Sequence, residues 1–135
     1  MASLRLTALT TVLMLLAGCV APPPSQADVA REANFLKYAG PPIDSFTYLG
    51  RYDDFESLGN KAVVVFTTTT DAYLIRVLDP CTQLRFALRI GLTSTNHTVN
   101  RRFDAVLVDQ ERCRIDTIQH IDYLALKKAR SAAAK

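Results

Sequence analysis

Residues 61–78 read KAVVVFTTTTDAYLIRVL, and the fold turns on how this stretch divides. Lys61–Thr68 is β-branched and aromatic, Ala72–Leu78 continues in the same character, and Thr69-Thr70-Asp71 lies between them. Residues of this kind fit a pleated, half-buried surface, so the stretch predicts two strands joined as a hairpin. Outward from it, the chain keeps a strand-like period. On the N-terminal side, Asp44–Tyr52 alternates Phe46 and Tyr48 with Thr47 and Leu49. On the C-terminal side, Leu84, Phe86, Leu88, Ile90 and Leu92 alternate with Arg85, Ala87, Arg89, Gly91 and Thr93. That is the pattern of a half-buried antiparallel strand with its arginines outward. Asn96-His97 marks a turn, and Arg102–Asp109 and Arg112–Ile121 predict two more strands.

Helices are expected only at the two ends. Ser25, followed three residues later by Asp28, resembles a capping box, and Val29, Ala33 and Leu36 form a helical stripe. Gly40 and Pro41-Pro42 then stop the helix, which places it over residues 26–38. Asp122–Lys135 predicts a second helix, frayed at its Ala-rich end. The fold class is therefore mainly β (α+β): a small antiparallel sheet or open barrel with an N-terminal helix, a C-terminal helix and one disulfide. No internal repeat is present. At 135 residues the chain holds at most one ordinary domain.

The first residues read differently. Leu6–Ala17 (LTALTTVLMLLA) is uncharged, follows a single Arg5 and ends in small residues. A bilayer-spanning helix needs about 20 apolar residues, so this shorter run suits an export signal. It ends in Leu16-Ala17-Gly18-Cys19, which matches the bacterial lipobox. The match implies a diacylglycerol on Cys19 and cleavage before it, with further acylation of the new amine. Multiple acyl chains, at about 0.8 kcal/mol per buried methylene, anchor far more firmly than one. Val20-Ala21-Pro22-Pro23-Pro24-Ser25-Gln26-Ala27 follows, and its prolines favour an extended, stiff tether. The expected organisation is a signal peptide (1–18), a Pro-rich tether (19–27), a folded domain (28–124) and a basic, Ala-rich tail (125–135). Val20, rather than Asp, after the cysteine favours the periplasmic face of the outer membrane.

Charge supports this division. Without residues 1–18 the chain carries 15 basic and 13 acidic residues, and Lys127, Lys128, Arg130 and Lys135 lie in the last nine positions. The remaining body is slightly acidic, which argues against nucleic acid as a partner.

Export would put Cys81 and Cys113 in an oxidising compartment, where they are the pair left once Cys19 is lipidated. Closing a loop of about 32 residues stabilises a fold by roughly 3–4 kcal/mol in the chain-entropy model. No C-x-x-C motif points to redox work, and His97 and His120 show no paired ligand spacing. The sequence therefore predicts no metal and no cofactor.

Candidate chemistry is sparse. Arg51, Asp53, Asp54 and Glu56 lie together in GRYDDFESLG. Clustered carboxylates bind a divalent cation or act as an acid/base pair, but they equally suit a solvated loop between two strands. Arg85, Arg89, Arg101, Arg102, Arg112 and Arg114 would provide a basic face for anionic sugars or lipid headgroups if they share one surface. The nucleophile motifs G-x-S-x-G and S-x-x-K are missing.

Several segments together resemble a family of small proteobacterial exported proteins and lipoproteins. They are Gly40-Pro41-Pro42-Ile43-Asp44-Ser45-Phe46, Gly50-Arg51-Tyr52-Asp53, Ala72-Tyr73-Leu74, Pro80-Cys81, Leu92-Thr93-Ser94, Phe103-Asp104 and Cys113-Arg114-Ile115. Members often carry Trp where this chain has Phe55. The resemblance implies the fold and the location and carries no activity with it. The expected function is a non-enzymatic, lipid-anchored periplasmic domain with a structural or interaction role in the envelope, held to the membrane through Cys19. The alternative is a small-ligand or cation-binding module built on the Asp53/Asp54/Glu56 loop.

Overall fold

The computed structural model describes residues 23–78 and 81–135. The expected signal peptide (1–18) and the expected lipidation site Cys19 lie outside the described residues.

Helix α1 (Gln26–Leu36) is capped by Ser25, whose Oγ accepts the Asp28 N–H at 3.1 Å. The other half of the expected capping box is replaced. The Asp28 carboxylate turns to Arg31 and to Arg85, 2.9 Å away on a distant loop. Strands β1 (Ala39–Ile43) and β2 (Ser45–Thr47) follow, then β3 (Asp54–Ser57), β4 (Ala62–Phe66) and β5 (Asp71–Val77). After a 3-10 turn (Leu84–Phe86) come β6 (Gly91–Leu92), β7 (Thr98–Asn100), β8 (Ala105–Val108), β9 (Glu111–Asp122) and helix α2 (Tyr123–Ala133).

The main sheet is antiparallel, with strand order β3-β4-β5-β9-β8-β6, and it curls into a half-barrel. The long β9 organises it. One edge of β9 pairs with β5, while the other takes β1 at its C-terminal half and β8 at its N-terminal half. A register shift between Arg76 and Val77 lets Ile115 and Ile118, three apart, serve the same face. A two-stranded ribbon, β2-β7, stands beside the sheet.

The 61–78 hairpin forms as expected, with Val64 opposite Leu74 and Val65 opposite Tyr73. All five β4 residues are buried, because both faces of this strand are covered. On the concave face Val63, Val65, Ile75 and Ile118 pack with Phe46, Val99 and Leu84. On the opposite face Val64, Phe66, Leu74 and Ile121 meet Phe35 of α1 and Leu126 of α2. Leu126 is the buried residue by which α2 packs on the sheet. Arg130 lies over the Phe35 ring at 5.1 Å and ties the two helices together.

Three expectations are corrected. The Leu84–Leu92 strand does not form, and only Gly91-Leu92 pairs. Leu84, Ile90 and Leu92 are buried, but Phe86 is 73% and Leu88 97% exposed. This segment crosses from β5 to the far edge of β8, so it has no free strand edge alongside it. Its backbone is instead fixed by side chains. Ser57 Oγ donates to Leu84 O at 2.7 Å, and Tyr52 Oη bonds both the carbonyl and the N–H of Ile90. The 44–52 strand shrinks to Ser45–Thr47, and Gly50 turns away at φ +81°. Conversely Pro41-Pro42 lie inside strand β1. It is an edge strand, where a missing N–H on the outer side costs nothing.

Candidate functional site

Where β2 and the β4–β5 turn face each other, the surface opens into a cleft of about 580 Å³. Its lining includes Arg51 and Asp53 from the 48–53 loop, Thr67, Thr68 and Asp71 from the turn, and Tyr73 from β5. Tyr73 sets the floor. Its ring stacks on Phe46 of β2 with centroids 4.1 Å apart and planes 16° apart. That contact joins the ribbon to the main sheet and fixes the width of the opening.

The threonine turn is strongly organised. Asp71 Oδ2 accepts from the hydroxyls of Thr68 and Thr70, both at 2.8 Å, and Thr68 Oγ1 accepts the Asp71 N–H. Lys127 of α2 reaches over and donates to the Thr69 carbonyl at 2.6 Å. His120 on β9 lies 3.4 Å from Asp71 Oδ1 and edge-on to Tyr73. The hydrogen bonds from Thr68 and Thr70, with a smaller contribution from His120, hold the Asp71 carboxyl below the ordinary carboxylate range. Burial, helped by the Asp71 charge, pushes the Tyr73 phenol up, so it stays a neutral donor at neutral pH. The threonine hydroxyls are turned to the carboxylate rather than to the imidazole.

The acidic run is divided by the strand that begins within it. Asp53 precedes β3 and lines the cleft with Arg51. Asp54 and Glu56 lie on β3 opposite Phe66 and Val64, on the helix side of the sheet. There Glu56 lies 3.7 Å from Arg31 and 4.0 Å from Arg130, and Asp54 accepts the Phe55 N–H. The expected solvated loop is thus mostly strand, and the three carboxylates do not converge. Among the described residues, one group of three ligand-type side chains has its atoms within 4.8 Å of one another: Cys81, Glu111 and Cys113. The two sulfurs are bonded to each other, with Cα atoms 5.7 Å apart. The Glu111 carboxylate accepts from Thr82 N, Thr82 Oγ1 and Gln83 N, so it caps the turn after Cys81.

Three of the six arginines have partners within the domain. Arg85 pairs with Asp28 and Arg101 with Asp44, while Arg112 donates to the Phe103 carbonyl. Sequence reading found Arg51 and Asp53 but missed Asp71 and Tyr73 as their neighbours in the cleft, and His120 behind those two. The four consecutive threonines before Asp71 were the available signal.

The family of unknown function DUF6491 matches residues 2–135. The chain belongs to that family. Since the DUF6491 match runs from residue 2 through α2, it takes in the Leu16–Cys19 stretch, the half-barrel and both helices. No curated protein and no solved structure matches the chain.

Proposed function

We propose that this DUF6491 chain is a lipid-anchored domain on the periplasmic side of a proteobacterial envelope. Val20 favours the outer membrane, and the role is non-enzymatic, in structure or in interaction with another envelope protein. One observation carries the reading. Cys81 and Cys113 are bonded to each other, which leaves Cys19 as the remaining cysteine of the chain, at the end of a lipobox and four residues before Pro23. Disulfides persist in oxidising compartments, and the same compartments receive lipobox proteins. Fractionation tests it. The Cys19→Ser chain is expected in the soluble periplasmic fraction, and the wild-type N-terminal peptide should carry acyl mass on Cys19. Continued membrane association of the variant would overturn the anchor. Envelope crosslinking that recovers no partner would remove the interaction role.

A second reading rests on the cleft. Arg51, Asp53 and Asp71 present both signs of charge among threonine hydroxyls above an aromatic floor. Such a lining suits a small polar ligand with several hydrogen-bonding groups, rather than the bare cation that a convergent acidic loop would take. Any molecule that prefers the native state raises its melting temperature. A panel of amino acids, short saccharides and divalent cations should contain one that does so in the wild type and fails to in Arg51→Ala.

A further inference from the structure

The connection between β5 and β6 carries two strongly exposed apolar side chains. Phe86 and Leu88 stand out from it, with Ala87 between them and Arg89 exposed beside them. No packing requirement explains the pair. Leu84, Ile90 and Leu92 of the same segment fill the concave core, while Phe86 and Leu88 point away from it.

What lies next to this loop decides its reading. Arg85 donates to Asp28 at 2.9 Å, and Asp28 stands in the first turn of α1, three residues after the cap Ser25. The loop and the start of α1 are thus fastened together, and exposed Val29 (51%) stands beside Asp28 in that first turn. Cys19 is six residues before Ser25. Six residues, however extended, span at most about 22 Å. A chain held by lipid on Cys19 therefore keeps Ser25, at the start of α1, within that distance of the bilayer, and the loop is fastened to that same end of α1.

We propose that the Phe86–Arg89 loop is the face by which the domain rests on the lipid surface. Phe86 and Leu88 enter the headgroup region, and Arg89 meets anionic headgroups. This rests on the lipid-anchor reading above. The geometry is that of an interfacial contact. The apolar side chains protrude singly from a loop rather than line a groove, and the adjacent cation has a long stem that keeps its charge at headgroup level. With the loop down, the cleft of Arg51 and Asp53 is held in a fixed orientation to the membrane.

The chain contains no tryptophan, so a single introduced indole reports its own surroundings. Phe86→Trp is made in the full lipidated chain and reconstituted into vesicles of phosphatidylethanolamine and phosphatidylglycerol, with and without brominated acyl chains. The control is Phe103→Trp. Phe103 is equally exposed but precedes β8, whereas Leu88 lies beyond the other end of the β6–β8 pair. The expected result is a blue shift and bromine quenching for the Phe86→Trp chain, and neither for the Phe103→Trp chain. Unquenched emission from a Phe86→Trp chain that floats with the vesicles would overturn the docking face and leave the anchor standing. Equal quenching in both variants would also overturn it, because the domain would then have no preferred face. A wild-type chain that does not float with the vesicles and carries no acyl mass would remove the anchor and this inference together.

Discussion

On the helix side of the sheet, Val64, Phe66, Leu74 and Ile121 are covered by regular elements. Phe35 and Leu126 come from the two terminal helices, and Arg130 lies over the Phe35 ring. On the concave side the cover is irregular. The short β2-β7 ribbon and the chain from Cys81 to Leu92 close it, held by a disulfide, by the Tyr52 hydroxyl and by the Asp28–Arg85 pair. A helix brings its own backbone hydrogen bonds, so it needs only an apolar stripe to dock. A connection without regular structure must have its backbone groups and its position fixed one by one. The helix side should therefore fail by losing packing, and the concave side by losing single fastenings.

Phe35→Ala should have the largest effect. It removes a fully buried ring that touches both helices and Phe66, at a cost of about 4 kcal/mol in urea unfolding. A loss below that of the disulfide variants would reverse the proposed ranking of the two sides. Next come Cys81→Ser and Cys113→Ser, at roughly 3 kcal/mol each, with little further loss in the double variant. Additive losses would mean that the two sulfurs act separately.

Asp28→Asn should cost about 2 kcal/mol, since it weakens charge-assisted bonds to Arg31 and Arg85. The pH dependence has a definite sign. Bonds from Ser25 and Arg31, with the Arg85 charge, depress the folded-state pKa of Asp28. Its contribution is complete above the unfolded carboxylate value of about 3.9 and disappears as pH falls through the lower folded value. Wild-type stability should fall below about pH 4, and the Asn variant should lose part of that dependence. A profile identical to wild type would remove Asp28 from the set of fastenings. Tyr52→Phe should cost about 1 kcal/mol, the worth of the Ile90 bonds, with no change in the disulfide. Leu88→Ser should leave stability within about 0.5 kcal/mol, because its side chain covers nothing in the domain.

The same contrast explains what could be read from the chain before its structure. The hairpin at 61–78 is legible because its strands are adjacent and its β-branched residues leave no competing helix. The first helix is legible from its cap, since Ser25 bonds the Asp28 N–H, but its expected stripe is not the packed face: Val29, Ala33 and Leu36 are exposed, and Phe35 is the apolar residue buried against the sheet. The Leu84–Leu92 segment misleads because alternation reports which residues could share a face, and says nothing about whether a strand edge is free. At Pro41-Pro42 the error has the opposite sign. Proline excludes a central strand and still permits an edge, and only topology distinguishes them. The candidate site was legible in part. Arg51 and Asp53 are neighbours in sequence, as are Asp71 and Tyr73, but His120 comes beside Asp71, 49 residues away, only through the β5–β9 pairing that sets it opposite Tyr73.

Strand β9 has one more consequence, and it concerns time. The bond from Gln119 to the Gly40 carbonyl spans 79 residues, and β1, β5 and β8 all depend on β9 for an edge. As the chain emerges from its N-terminus, the β3-β4-β5 meander can form from local contacts, but β1 has no partner until residue 118 arrives. Non-local pairing of this kind slows folding, since the intervening chain must be gathered first. The domain thus completes itself only when nearly all of it has been delivered. Until then neither β1 nor β8 has the β9 edge with which it pairs.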